Sequence, residues 1–389
     1  MSVRSGRLPR DLTPNRLTAA VAARRASGRP LLDLTASNPT AVGLAYPPAL
    51  LAPLGHPRGL HYAPEPFGTA VARAAVAADY ARRGVALHPS HVILTASTSE
   101  AYALLFKLLC DPGDRVLVPR PSYPLFEHLT TLESVTAVPY DLDEHAGWRI
   151  DVAAVAAAID ARTRAVLVVS PNNPTGSTID AADLDALSTM AAARGIALIG
   201  DEVFADYPLG QTPGVSVLSQ ARALAFGLGG LSKSVGLPQV KVGWIGVSGP
   251  AAVVADALDG LEIVSDTFLS VSTPAQLALP ELLADGAAVR ERIRGRIARN
   301  LEQLRAASAT VAAVTLQSPP GGWSAVLQVP ATQSEEALVV GLVADDGVLV
   351  HPGYFFDFPH EAFVVVSLLP DSAVFDPAVA RLLWRVGRS

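Results

Sequence analysis

From about Leu60 to Gly249 the chain alternates apolar, β-rich runs with Ala-rich stretches of helical character. The apolar runs predict strands at Val92–Thr95, Arg115–Pro119, Ala165–Ser170, Ile196–Gly200, Ala223–Gly227 and Val242–Ser248. Between them, helices are predicted at Thr69–Arg83, Glu100–Cys110, Asp151–Ile159 and Ala181–Arg194. The strands are almost continuously Val, Ile, Leu and Ala rather than alternating with polar residues. That pattern belongs to strands with both sheet faces covered by helices, so it predicts an α/β domain with a mostly parallel sheet.

After about Gly260 the grain changes. A long charged helix is predicted over Ala287–Ala307, with Arg and Glu interleaved on a solvated face. Shorter strands follow at Ala325–Val329 and Phe363–Leu368, then a last helix near Pro377–Val386. The expected organisation is an N-terminal arm with part of a small domain (1–45), a large domain (46–260) and a small α+β domain (261–389).

Composition narrows the class. Hydrophobic residues make up 50% of the 389 and charged residues 17%, enough apolar material for large cores and too much for disorder. A net charge of −6 makes nucleic acid an unexpected partner. No apolar stretch is long enough to span a bilayer. The single cysteine, Cys110, excludes an intrachain disulfide and fits a reducing compartment, the cytoplasm. Its apolar neighbours favour an inert buried thiol over a nucleophile. Seven arginines in the first 30 residues could be read as a transit peptide; an arm packed on the folded protein is favoured, because Arg dominates the whole chain.

Lysine is the informative residue. Of 30 basic residues only Lys107, Lys233 and Lys241 are lysines, leaving 27 arginines. Lys can lose its proton and form an imine, whereas Arg cannot. Lys233 and Lys241, eight positions apart, are therefore candidates for chemistry.

Ligands of parallel sheets collect at the carboxyl ends of strands. Val92–Thr95 is followed by Ala96-Ser97-Thr98-Ser99-Glu100, which opens a helix. Such hydroxyls are first of all N-caps; a helix N-terminus is also an anion site. Arg115–Pro119 is followed by Pro121-Ser122-Tyr123-Pro124, and Ala165–Ser170 by Pro171-Asn172-Asn173-Pro174-Thr175-Gly176. Ile196–Gly200 leads into Asp201-Glu202, and a carboxylate there needs a cationic partner. Leu231-Ser232-Lys233 follows the next strand. No metal-ligating cluster is expected.

In this order, Asn172-Asn173-Pro174-Thr175-Gly176, Asp201-Glu202, and Ser232-Lys233 with Lys241-Val242-Gly243 resemble the class I/II aminotransferases of the aspartate-aminotransferase superfamily, fold type I. The resemblance runs from about residue 30 to the C-terminus. It implies pyridoxal 5′-phosphate (PLP) as cofactor and a seven-stranded, mostly parallel sheet between helices, with a smaller α+β domain. It implies that Lys233 forms the Schiff base and then moves a proton, with Asp201 paired to the ring nitrogen. Asn173 would bond the ring's phenolic oxygen and Tyr123 would stack on the ring. Ser97, Thr98, Ser99, Ser232 and Lys241 would hold the phosphate. The His61-Tyr62-Ala63-Pro64 segment resembles one that reaches a neighbouring subunit, so Tyr62 would touch the partner's phosphate in a homodimer. Tyr62 as a simple packing aromatic is the competing reading.

Three departures stand out. Phe204 replaces the Tyr that usually follows the Asp by three residues, removing a hydrogen bond unless Tyr207 supplies it; plain packing explains Tyr207 equally well. Gly230 replaces a phosphate-binding Ser. Val365, in Phe363-Val364-Val365-Val366-Ser367, stands where relatives carry the Arg that grips a substrate carboxylate. A charge-assisted hydrogen bond is worth about 1.5–3 kcal/mol, so this loss bears on substrate choice. Arg120 or His351 are candidate substitutes, and Trp323 with Phe355 and Phe356 would shape an apolar pocket. The expected activity is ping-pong transfer of an amino group between an amino acid or other amine and a keto acid. Elimination, replacement or decarboxylation on the same linkage is the alternative, followed by a non-catalytic PLP-binding regulator. No Gly-x-Ser-x-Gly elbow supports a hydrolase.

Overall fold

The protein is described by a computed structural model covering residues 4–211 and 213–388. Its first strand, β1 (Leu32–Asp33), lies apart from the main sheet and pairs in parallel with β12 (Val348–Leu349). The main sheet contains β2 (Val92–Thr95), β3 (Arg115–Arg120), β4 (Thr136–Asp143), β5 (Arg149–Ile150), β6 (Thr163–Val169), β7 (Ala197–Asp201), β8 (Ala225–Gly230) and β9 (Gly243–Ser248). They lie in the order β2-β9-β8-β7-β6-β3-β4-β5. Strands β8, β7, β6, β3 and β4 are mutually parallel, whereas β9 runs antiparallel to both of its neighbours. The expected seven strands become eight because the two-residue β5 folds back along the edge of β4.

The uniform apolarity of these strands follows from their two buried faces. Val116, Leu167, Ile199 and Phe226 pack on one face, beneath the helices Thr98–Leu109 and Ala251–Phe268. Leu117, Val166, Val168 and Leu198 pack on the other, beneath Ala70–Arg82 and Ala181–Arg194. The helix boundaries have local causes. The Asp180 side chain accepts from the Asp183 amide at the start of Ala181–Arg194, and Gly195 ends it in the left-handed region at φ +63°.

Two long helices, Ala251–Phe268 and Thr273–Asp285, were not anticipated. The second contains Pro280, a residue that sequence reasoning takes as a stop. Residue 260, the expected divide, lies inside the first of them. There a Cβ on Gly260 would stand 2.6 Å from Leu108, so that helix packs on the main-sheet layer.

The second sheet is antiparallel, in the order β10-β11-β14-β13, formed by β10 (Thr315–Gln317), β11 (Ser324–Gln328), β13 (His351–Pro352) and β14 (Phe363–Ser367). The helix Arg16–Ala26 joins this part of the molecule. Arg24 is buried and donates to the carbonyls of Val343 (3.2 Å) and Ala344 (2.9 Å). The two sheets meet where Gly322 N–H donates to Tyr207 O (2.9 Å) and Leu209 N–H to Pro320 O (2.8 Å). Gly176, at φ +72°, fits against this joint because a Cβ would lie 2.4 Å from Gly321 O. Among the described residues no helix is long and apolar enough to cross a membrane.

Candidate active site

The carboxyl ends of β2, β3, β6, β7 and β8 open into one cleft of about 260 Å³, roofed by the second sheet. Its walls include Thr98, Ser99, Tyr123, Asn173, Asp201, Ser232 and Lys233. Seven of the ten sequence-predicted residues thus come together. A second cavity of about 270 Å³ lies behind Glu202, among Arg82, Arg83, Asp206 and Arg294, and shares no wall residue with the first.

Lys233 sits on the single turn Leu231–Ser234 that follows β8. Its Nζ lies 5.0 Å from the centroid of the Trp323 ring and 5.6 Å from that of Phe204. Burial among these rings pushes the ammonium down from the ordinary lysine value of 10.5 to about 8, against the opposing pull of Asp201. A readily deprotonated amine at the centre of a cleft is what imine formation requires. The backbone beneath it is fixed: Tyr207 Oη donates to Lys233 O (2.6 Å) and Arg290 Nε to Ser234 O (3.0 Å). Tyr207 is fully buried, so its hydroxyl holds the lysine backbone and does not replace the phenol missing at Phe204.

Asp201 ends β7 as a buried carboxylate. Tyr102 Oη donates to its Oδ2 (2.8 Å) and Val203 N–H to its Oδ1 (3.2 Å). Burial raises its pKa, and the Tyr102 and Val203 hydrogen bonds and Lys233 pull the other way. Tyr102 escaped sequence reasoning. The available signal was its position four residues after Thr98, which puts both on one face of the helix. Glu202 faces away from the cleft: its Oε1 accepts from Ser216 Oγ (2.7 Å) and Val217 N–H (2.9 Å). Asn172, also buried, ties its turn to Pro121 O (3.0 Å) and Thr175 Oγ1 (2.9 Å). Asn173 lines the cleft.

Three predicted residues lie outside the cleft wall. Ser97 caps the Thr98–Leu109 helix, its Oγ accepting from Glu100 N–H (3.2 Å) while Glu100 Oε2 accepts from Ala96 N–H (2.6 Å). Its hydroxyl is therefore occupied by the cap. Lys241 is exposed at φ +58°; the pairing of Thr95 with Gly243 runs its segment back past Ser97. Tyr62 is 78% exposed and borders a separate groove near Phe268.

The substrate side also departs from expectation. Arg120 is bound to Asp141 through two bonds (2.6 and 3.0 Å) and does not line the cleft. His351 does, as do Trp323, Phe355, Phe356 and Val365. Thr35, Ser37, Ser324 and Ser367 complete the wall and were not foreseen. Cys110 is half-buried, and burial pushes its thiol up to about 12, which disfavours a thiolate.

The donor set fits PLP. Among the described residues Asp201 forms no salt bridge, so it is a buried carboxylate suited to a ring cation. The Thr98–Leu109 N-terminus with Thr98, Ser99 and Ser232 suits an anionic phosphate. Lys233 lines the same cleft as both.

The comparisons agree. The family model for aminotransferase class I and II matches residues 29–382. The chain is 28% identical over 374 residues to alanine aminotransferase of Mycobacterium tuberculosis, covering 92% of this chain and 86% of that protein. It is 26% identical over 352 residues to glutamate-pyruvate aminotransferase AlaA of Escherichia coli, covering 88% and 87%. Among solved structures it is similar to an alanine aminotransferase from Pyrococcus furiosus, with a TM-score of 0.87, 22% identity and 96% coverage of each chain. It is similar also to a mutant aspartate aminotransferase of Thermus thermophilus, with a TM-score of 0.84, 25% identity and 99% and 100% coverage. With this fold, a buried lysine and a buried carboxylate in one cleft, and a family match over residues 29–382, the chain belongs to the class I and II aminotransferases and is a PLP-dependent enzyme.

Proposed function

We propose that Lys233 and Asp201 are the catalytic pair of this aminotransferase. Bound PLP supplies an electron sink that makes the proton on a substrate carbon removable. Lys233 Nζ would hold the cofactor covalently and, as a readily deprotonated amine, would move the proton at the substrate carbon. Asp201, oriented by Tyr102, keeps the ring nitrogen protonated. Asn173 would bond the ring oxygen and Tyr123 would lie against the ring. Thr98, Ser99 and Ser232 bind the phosphate with the backbone of Ser97, and Lys241 adds a positive charge from the adjoining segment. Trp323 and Phe204 exclude water from Lys233 Nζ. The carrying observation is the buried lysine amine in the cleft, its pKa lowered to about 8, in the same cleft as a buried carboxylate that forms no salt bridge among the described residues.

Amino groups pass between an amino compound and a keto acid in two half-reactions, as the names of the mycobacterial and E. coli relatives suggest for those proteins. The assembly is a homodimer in which Tyr62 reaches the partner's phosphate site; its 78% exposure in one chain supports this. The proposed organisation is an arm with part of the small domain (1–45), a large domain (46–260) and a small domain (261–389); the bonds from Arg24 to Val343 O and Ala344 O support the link between the Arg16–Ala26 helix and the small domain. The single cysteine supports a cytoplasmic location. The test is borohydride reduction of the PLP-loaded protein followed by peptide mapping. The adduct is expected on Lys233, and a Lys233→Ala protein that still carries one reducible adduct would overturn the reading.

A further inference from the structure

Among the described residues of one chain, the substrate side of the cleft carries no arginine, and Lys233 is its only amine. Val365 is 1% exposed in β14 and pairs across the strands with His351 of β13, so valine and imidazole stand side by side on the wall. Arg120 is held by Asp141 outside the cleft.

The hydroxyls divide into used and free. Thr35 Oγ1 donates to Asp33 (2.6 Å) and Ser367 Oγ to Ala36 O (2.6 Å). The side chains of Ser37, Ser324 and His351 form no hydrogen bond among the described residues. Phe355 and Phe356 flank His351, each with its ring centroid 5.6 Å away. Burial lowers the His351 pKa, and Asp33 only partly opposes this, which favours the neutral ring. Such a wall binds apolar surface and neutral polar groups; a carboxylate against Val365 would lose hydration without gaining a cation.

We propose that the preferred amino compound carries no carboxylate on its reacting carbon: it is an amine with an apolar or aromatic body and a neutral hydroxyl-type group, held by His351, Ser324 and Ser37. Keto acids then serve only as weakly bound exchange partners. This rests on the assignment of the cleft around Lys233. In the half-reaction the substrate C–H bond would break, Lys233 Nζ taking the proton and returning it to the cofactor carbon while the electron pair passes to PLP. The C–N bond then breaks, nitrogen stays on the cofactor as its amine form, and water supplies the carbonyl oxygen of the product.

The experiment compares matched pairs on the PLP-loaded enzyme. L-phenylalaninol and L-phenylalanine are compared by kcat/KM for the half-reaction. The unreactive pair phenylpropanol and phenylpropionate is compared by calorimetric Kd. Expected is a preference for the alcohol member of each pair by about tenfold or more, the scale of one charge-assisted hydrogen bond. Val365→Arg should reverse the order. Because that variant places Arg in a packed strand, His351→Lys, at a half-buried position, tests the same reversal independently. A wild-type preference for either carboxylate member would overturn the proposal. Borohydride mapping of the same samples separates the two failures: an adduct away from Lys233 overturns the cleft assignment and the proposal with it, whereas an adduct on Lys233 with a carboxylate preference overturns the proposal alone.

Discussion

At Lys233 a charge is held where water is scarce, and its pKa of about 8 makes the cost testable. Because the folded-state value lies below the ordinary 10.5, the unfolded chain binds the proton more tightly between the two. Stability of the cofactor-free protein should therefore rise with pH across that window. The penalty is full below about pH 8 and is relieved as pH approaches 10.5. Lys233→Met should stabilise the cofactor-free protein by about 3 kcal/mol near pH 7, by the conversion of about 1.4 kcal/mol per pKa unit. The gain should vanish above pH 10.5, as measured by urea unfolding. Tyr102 acts in the opposite sense on Asp201, since its hydrogen bond lowers the carboxyl's pKa. Tyr102→Phe should move the acidic limb of the kcat profile to higher pH and lower kcat about tenfold, on the scale of one bond to a charged group.

At the scale of elements, the turns rather than the strands carry the site. The Asn172–Gly176 turn is pinned from both sides: Asn172 reaches Pro121 O, and Gly176 packs under Gly321 O. Gly176→Ala combines a left-handed φ, costing about 1–2 kcal/mol, with a Cβ at 2.4 Å from that carbonyl. It should lower the melting temperature and weaken PLP binding together, because Asn173 moves with the turn. A variant that loses stability but keeps PLP affinity in spectral titration would separate the turn from the site. The Ser97–Glu100 cap is a contrasting case. Its residues were legible as a cap or as an anion site; the Ser97 hydroxyl serves the first, while Thr98 and Ser99 line the cleft.

At the scale of the whole molecule, the site spans two sheets and, on the proposed reading, two subunits. If Tyr62 completes the partner's site, Lys233→Ala and Tyr62→Ala proteins should each be impaired. Mixed and refolded together, they should regain activity, since one site of each mixed dimer then has both residues intact. Sedimentation velocity should show a dimer. Recovery no greater than the sum of the parents would argue that each chain works alone.

Much of the cofactor half was legible because it is written locally. A buried parallel strand ends, a turn follows, and the residue there must face the cleft; Asn173, Asp201 and Lys233 each occupy such a position. Apolar runs buried on two faces likewise specified the α/β layers. Other features depended on contacts the linear chain does not display. Pro280 inside a helix and the helix through residue 260 arise because packing on neighbouring layers outweighs local signals. Tyr102 meets Asp201 across 99 positions, and Tyr207 turns beneath Lys233 instead of into the cleft. The pairing of His351 with Val365 comes from strand register alone. The sequence by itself determined which chemistry the protein carries, because imine formation and ring protonation need particular residues at strand ends. Only the tertiary structure decided what lines the substrate wall, because that wall is assembled from segments far apart in the chain, joined by burial and backbone pairing.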